Sequence, residues 1–170
     1  MRGGYAVRLV SLVGGLFLFA LAIVLILESK LGLSPWDVLN QGLAKHTPLS
    51  FGGANIAVGL TVLLIAWSLG GRPGLGTFAN AILVGTFIQV LTAVPAVTAL
   101  AHDGLSVRIP LLLVGIWLIG PASAFYIGAD FGAGPRDTLM LVGSRRTGRR
   151  VGLVREIGRA SCRERVYSGV

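Results

Sequence analysis

The sequence predicts an all-α protein, a polytopic α-helical membrane bundle, and two observations support this prediction. Apolar residues make up 54% of the 170-residue chain and charged residues only 13%, about half the usual share in soluble proteins. The charges are also segregated, because four stretches contain no Asp, Glu, Lys or Arg: Leu9–Leu27, Phe51–Gly71, Pro73–Ala101 and Ile109–Ala129. Each is long enough to cross a hydrocarbon core of about 30 Å as a helix. We therefore expect four transmembrane helices, at about 9–27, 51–70, 75–99 and 108–128.

The positions of the basic residues predict how the chain is oriented. With a cytoplasmic N-terminus, the inside segments of residues 1–155 hold nine Lys and Arg residues and the outside loops hold three. This bias is the one that the positive-inside rule predicts, so we expect a multi-pass protein of a bacterial inner membrane. The cytoplasmic basic run of Arg145, Arg146, Arg149 and Arg150 is expected to lie beside anionic lipid. The lipid bilayer is therefore the expected partner, and nucleic acid is not.

The chain also repeats itself at an offset of 100 residues. Leu31–Leu39 aligns with Phe131–Leu139, and the two segments share the pattern G-x-x-P-x-D-x-L. Three predicted spans separate equivalent points of the two copies, and an odd number turns the second copy over in the membrane. The sequence therefore predicts an inverted-topology repeat, an arrangement common among secondary transporters.

The second copy ends early. Residues 156–170 should match the second span, but they read EIGRASCRERVYSGV, which is too highly charged for a membrane helix. The string EIGRASCRERV resembles a one-frame translation of a sequencing adapter. We interpret residues 1–155 as the membrane domain and 156–170 as a non-native tail. The natural chain is expected to continue with an uncharged run of about 20 residues from near position 153.

The shared motif has the sequence features of a helix start. Ser34 can cap a helix, Pro35 suits its first position, and Asp37 complements its positive end. Short helices are thus predicted at about 35–46, beginning with Pro35 and Trp36, and at about 135–143, beginning with Pro135. In one interpretation they are interfacial half-helices that turn the chain. In the other they re-enter the membrane, where Asp37 and Asp137 are buried acids that bind a proton or a cation.

Few other polar residues lie in the predicted spans. Asn80 and Gln89 belong to the third span, where they either form interhelical hydrogen bonds or line a solute path. The predicted spans contain neither His nor Cys, no nucleophile–base pair and no cluster of carboxylates at helical spacing. We therefore expect no enzyme activity, no metal site and no cofactor.

Three segments resemble the YczE/YitT-like family of bacterial integral membrane proteins: Gly32–Leu39, Gly52-Gly53 and Gly74–Asn80. The resemblance implies a polytopic inner-membrane protein with more spans than this chain holds. It assigns no substrate, reaction or role to any residue, and it implies either transport or assistance to membrane-associated biosynthetic machinery. The second half departs from the pattern, because Arg136 stands where the first half has Trp36.

Two functions follow as hypotheses. The first is transport or binding of a small solute between two inverted halves, with Asp37 and Asp137 as the ion-responsive pair and Asn80 and Gln89 as polar contacts. The alternative is a non-transporting membrane accessory that docks a cytoplasmic protein partner through its basic segment 136–155.

Overall fold

The computed structural model describes residues 5–71, 74–102, 104–129, 131 and 134–147. These residues form seven α-helices and one 3-10 turn, and none of them lies in a β-strand. The helices are α1 (Tyr5–Ser29), α2 (Pro35–His46), α3 (Phe51–Ser68), α4 (Leu75–Thr92), α5 (Pro95–Ala99), α6 (Leu105–Gly128) and α7 (Pro135–Thr147), and the turn at Leu100–His102 precedes α6. The predicted tail 156–170 lies outside the described residues.

Three of these helices are long and apolar enough to cross a membrane: α1, α3 and α6. The sequence predicts a fourth span at 75–99, but the structure divides this segment, and α4 is a shorter apolar helix. The division has a local cause. Val94 is extended and Pro95 begins the short helix α5, because a proline disfavours a helical residue before it and provides no N–H for the helix to continue. The described residues therefore form an all-helical fold with three candidate spans.

The two longest helices, α1 and α6, pack tightly against each other and run antiparallel. Gly15 of α1 faces Ala122 and Tyr126 of α6, and a Cβ at Gly15 would lie 2.7 Å from the Tyr126 nitrogen. Gly115 of α6 faces Ala22 and Ile26 of α1, where its Cβ would lie 3.1 Å from the Ala22 carbonyl oxygen and 2.7 Å from Ile26 Cγ1. Glycines at these crossings let the helix backbones approach closely, which favours association in lipid.

An arginine side chain forms a hydrogen bond between α1 and α6 at each end of this helix pair. Arg8, near the start of α1, donates from Nε to the Ala129 carbonyl oxygen just after α6, at 2.9 Å. Arg108, near the start of α6, donates from Nε to the Ser29 carbonyl oxygen at the end of α1, at 2.6 Å. A cation at a helix C-terminus satisfies an otherwise unbonded carbonyl and interacts favourably with the helix dipole. Each long helix thus caps the other.

The remaining helices pack around this pair. Helix α4 contacts α1 through an apolar core that includes Leu16 and Val24 of α1 and Ile88 of α4, all fully buried. Helix α3 packs on α4 at small residues, among them Gly52 against Gly85. Helix α3 also contacts α2 and α7. These two helices are therefore held by the bundle.

Candidate functional site

Helix α2 begins with a capping network. Ser34 is its N-cap, and the Ser34 hydroxyl accepts a hydrogen bond from the Asp37 backbone N–H at 3.2 Å. The same hydroxyl donates to Asp37 Oδ2 at 2.5 Å. Asp37 is only 4% exposed, so its carboxyl group is held inside the protein by the cap. Pro35 occupies the first turn, where a missing N–H costs nothing.

Helix α7 begins in a similar way but finds its partner on another helix. Pro135 is buried at its start, and Thr138 donates from its hydroxyl to the Gly134 carbonyl oxygen at 3.0 Å. The Tyr126 hydroxyl on α6 donates to Asp137 Oδ2 at 2.8 Å. Asp137 is thus tied to a candidate membrane span, whereas Asp37 is tied to its own cap.

The two helix starts meet directly. The Arg136 guanidinium carbon lies 4.6 Å from the centroid of the Trp36 ring, which is within the range of a cation–π interaction. Asp37 and Asp137 both act electrostatically on Arg136. We name this group of side chains the polar cluster; its members are Trp36, Asp37, Tyr126, Arg136 and Asp137.

The long helices fix the depth of the polar cluster. Arg8 and Ser29, which bind the two ends of α6, are 21 residues apart on α1, a rise of about 31 Å. Trp36 and Arg136 each follow one of these opposite ends by seven residues. They can touch only if the chain turns back from both ends toward the middle of the α1–α6 pair. The polar cluster therefore lies between the two ends of this pair.

Burial and charge act against each other in the polar cluster. Burial raises the pKa of the Asp37 carboxyl, while the hydrogen bond from Ser34 and the positive charge of Arg136 lower it. Burial lowers the pKa of Arg136, and interactions with Asp37, Asp137 and Tyr126 offset part of this effect, so that the pKa is about 10. Arg136 therefore stays positively charged at neutral pH, while Asp37 binds a proton more readily than a solvated aspartate.

Several buried polar atoms have no hydrogen-bond partner among the described residues. They are Asp37 Oδ1, both amide atoms of Asn40, and Asn55 Nδ2. Asn40 is fully buried and lies on the same face of α2 as Asp37, three residues earlier. An unpaired buried polar atom costs about 1–3 kcal/mol. These atoms could therefore bind water, an ion or a polar solute at low cost.

The structure brings only some of the predicted site residues together. Asn80 on α4 lies beside the start of α7, since a Cβ at Gly134 would be 3.6 Å from the Asn80 amide group. Gln89 is exposed and packs through its Cβ against Gly52 of α3, nine residues farther along α4. Arg145 and Arg146 belong to α7, but their side chains are outside the description, as are Arg149 and Arg150 altogether.

Three residues of the site were not predicted from the sequence. Arg136 had a detectable signal, because it is a charged residue at the position of the repeat where the first copy has Trp36. Asn40 had a weaker signal, a polar residue on the face of α2 that also carries Asp37. Tyr126 had none, since a tyrosine near a helix end is ordinary in a membrane protein. In the described part of the chain, no group of three or more His, Cys, Asp and Glu side chains could hold a metal ion.

The all-helical fold and the long apolar helices define an integral membrane protein. A family model described as a family of unknown function (DUF6198) matches residues 6–163. The chain therefore belongs to this family, and its resemblance to the YczE-like membrane proteins is confirmed.

Three known proteins are similar to this chain. An uncharacterized protein of Haemophilus influenzae is 37% identical over 131 residues, which are 74% of this chain and 58% of the relative. The uncharacterized membrane protein YczE of Bacillus subtilis is 33% identical over 149 residues, which are 83% of this chain and 65% of the relative. The protein YyaS of the same bacterium is 30% identical over 129 residues, 75% of this chain and 64% of the relative. The matched part is thus less than two thirds of each relative. No solved structure matches the chain.

Proposed function

We propose that this protein is a transporter-like membrane protein that moves a small solute between two inverted halves, with the polar cluster as its coupling site. The observation that carries the proposal is the contact of Trp36 with Arg136, because it joins the starts of two helices that enter from opposite ends of the α1–α6 pair. Interrupted helices that meet in this way are typical of secondary transporters. The likeness concerns architecture, so the function must be tested at the site itself.

The inverted repeat is supported by reciprocal contacts. Gly15 meets Ala122 and Gly115 meets Ala22, so adding 100 to one residue number and subtracting 100 from the other converts each contact into its counterpart. The same operation converts the bond between Arg8 and Ala129 into the bond between Arg108 and Ser29. It also exchanges Trp36 with Arg136. Such reciprocity is expected of a two-fold relation, and the antiparallel packing of α1 and α6 supports opposite directions for the two halves.

In this proposal α4 is the fourth span. Its 18 residues rise about 27 Å, and α5 and the turn after it carry the chain to the membrane surface. The bilayer is that of a bacterial inner membrane with the N-terminus in the cytoplasm, an orientation supported by the excess of basic residues in the inside segments.

The polar cluster can change its charge by one. With both carboxyl groups ionised, Asp37 and Asp137 outnumber Arg136 and leave one negative charge. A proton on Asp37, or a monovalent cation beside its free Oδ1, makes the cluster neutral. A neutral cluster costs less free energy to expose to lipid than a charged one. Neutralisation would therefore favour a conformational change that exposes the cluster. Asn80, beside Gly134, and Asn40, three residues after Asp37 on α2, would supply polar contacts to a solute.

The replacement Asp37→Asn is expected to abolish coupled transport, and Asp137→Asn is expected to weaken it. The test reconstitutes the protein in liposomes loaded with a pH-sensitive dye and follows proton movement as amino acids, sugars and nucleosides are added in turn. Asp37→Asn removes the titrating group and should eliminate the proton signal, whereas Asp137→Asn replaces the charged acceptor of the Tyr126 hydroxyl with a neutral amide and should weaken the signal. The control is Asp103→Asn, the same chemical change in the connection before α6. Solute flux and ligand-induced stabilisation that survive both replacements would refute the assigned roles.

The inverted topology predicts labelling from opposite sides of the membrane. Single cysteines replace Gly32 and Gly132, which are equivalent at the 100-residue offset, in a background with Cys162→Ser. A membrane-impermeant maleimide added to intact cells should label Gly32→Cys, and Gly132→Cys should react only after the cytoplasmic side is opened. Labelling of both from one side would rule out the inverted repeat.

The alternative function, a membrane accessory docking a cytoplasmic protein, relies on the basic segment 136–155. One of the positive charges of this segment, Arg136, interacts with Trp36 in the polar cluster. Fewer positive charges therefore remain to bind a partner. The absence of any solute-dependent flux, together with opposite-side labelling, would favour this alternative.

A further inference from the structure

One face of α6 is uncovered where the corresponding face of α1 is buried. On α1, Leu12 is 5% exposed and Leu16, Ala20 and Val24 are fully buried, and these residues form one core with Val84 and Ile88 of α4. The spacing of four residues places them on a single side of α1. This side differs from the one that meets α6, which carries Gly15, Ala22 and Ile26.

The repeat assigns an equivalent to each of these residues on α6. Ile116, Gly120 and Ala124 correspond to Leu16, Ala20 and Val24, and all three are exposed, Ile116 by 55%. Leu112, the equivalent of Leu12, is only partly buried. An alanine Cβ at Gly120 would meet nothing within 4 Å. The side of α6 that faces α1 is therefore filled. The side of α6 that corresponds to the α4-binding side of α1 is uncovered.

The chemistry of the empty side suits a helix. Gly120 and Ala124 are small residues four positions apart, a spacing that lets a second helix approach closely in lipid. Trp117 is 75% exposed at the position equivalent to Phe17, and the Phe17 ring makes an edge contact with Phe87 of α4 at 5.5 Å between centroids.

We infer that the α6 face formed by Leu112, Ile116, Gly120 and Ala124 is the docking surface for a transmembrane helix equivalent to α4, supplied by the natural C-terminal continuation of the membrane domain. Adding 100 to the bounds of α4 places this helix at about 175–192. The relatives are long enough to contain it, since the matched part is 58% to 65% of their length. The inference rests on the inverted repeat of the proposed function but does not require transport.

The test measures the lipid exposure of single spin labels. Ala124→Cys on the docking surface and Val114→Cys as a control are made in a background with Cys162→Ser. Val114 is 51% exposed and its equivalent, Gly14, is also exposed, so no helix is expected to cover it. Each label is studied in the 170-residue chain and in the protein carrying its natural C-terminal continuation, with one copy per lipid nanodisc.

In the 170-residue chain both labels should collide freely with dissolved oxygen, as lipid-facing groups do. In the longer protein, collisions should be lost at Ala124→Cys and retained at Val114→Cys. Equal oxygen accessibility of Ala124→Cys in both proteins would overturn the inference and leave lipid as the occupant. Protection that appears only when two copies share a nanodisc would also overturn it, in favour of a second copy. Because the readout is independent of flux, a failed transport experiment leaves this result interpretable.

Discussion

Alanine at Gly15 or Gly115 is expected to destabilise the protein by about 1–3 kcal/mol, the usual cost of overpacking a filled interface. At Gly15 the new Cβ would lie 2.7 Å from the backbone nitrogen of Tyr126, and at Gly115 it would lie 3.1 Å from the Ala22 carbonyl oxygen. Backbone atoms cannot rotate away as side chains do, so α1 and α6 must separate. The measurement is the thermal unfolding midpoint in detergent for each variant and for the double variant.

Gly14→Ala is the matched control, because its Cβ would meet nothing within 4 Å. It should leave the midpoint unchanged or raise it slightly, since alanine favours a helix over glycine by about 1 kcal/mol. Both destabilising changes act by separating the same two helices, so their combined effect should be less than the sum of the single effects. If Gly15→Ala and Gly14→Ala behave alike, the close antiparallel packing of α1 and α6 is wrong.

Replacing Arg136 by methionine is expected to lower stability at neutral pH by about 1–3 kcal/mol, because a buried acid then loses its compensating charge. Asp37 is the group most affected, since the positive charge of Arg136 lowers the pKa of its carboxyl. The loss should shrink as the pH falls and Asp37 takes up a proton. The measurement is the unfolding midpoint of wild type and variant from pH 4 to pH 8.

The direction of this pH dependence follows from linkage. Burial leaves the pKa of Asp37 raised in the folded protein, so its favourable contribution is complete below the unfolded pKa and is lost as the pH rises through the folded value. Asp37→Asn should remove this slope and should also suppress the defect of the Arg136 variant. Lys45→Met, the loss of an exposed positive charge on α2, is the control and should change little. An Arg136→Met defect that is independent of pH and persists in the Asp37→Asn background would contradict the coupling of the two residues.

Sequence reasoning identified the segments that are apolar, but it did not detect the interruption of one of them at a proline. Residues 73–101 contain no charge, and charge alone cannot distinguish one long span from a helix that ends at Thr92 and restarts at Pro95. The decision depends on backbone geometry, because proline removes an N–H without altering hydropathy. Helix starts with a capping residue were easier to locate, since Ser34 and Pro35 act within one turn of the chain.

The site was only partly accessible to the same reasoning. Asp37 and Asp137 could be paired through the repeat, because a duplicated motif places the two acids at matching points. The sequence could not show which of Gln89 and Asn80 belongs to the site. The structure leaves Gln89 exposed and places Asn80 beside Gly134. Both lie on α4, and only the crossing of α4 with α7 decides which of them approaches the polar cluster.

By itself the sequence determined the membrane class, the helical fold and the duplicated motif, because apolar length and repeated residues are properties of the chain taken in order. Tertiary structure alone decided that α1 and α6 cap each other through Arg8 and Arg108, and that Trp36 meets Arg136 between their ends. These contacts join residues that are 79 to 121 positions apart. Their partners depend on how whole helices cross, and local sequence carries no record of that angle or depth.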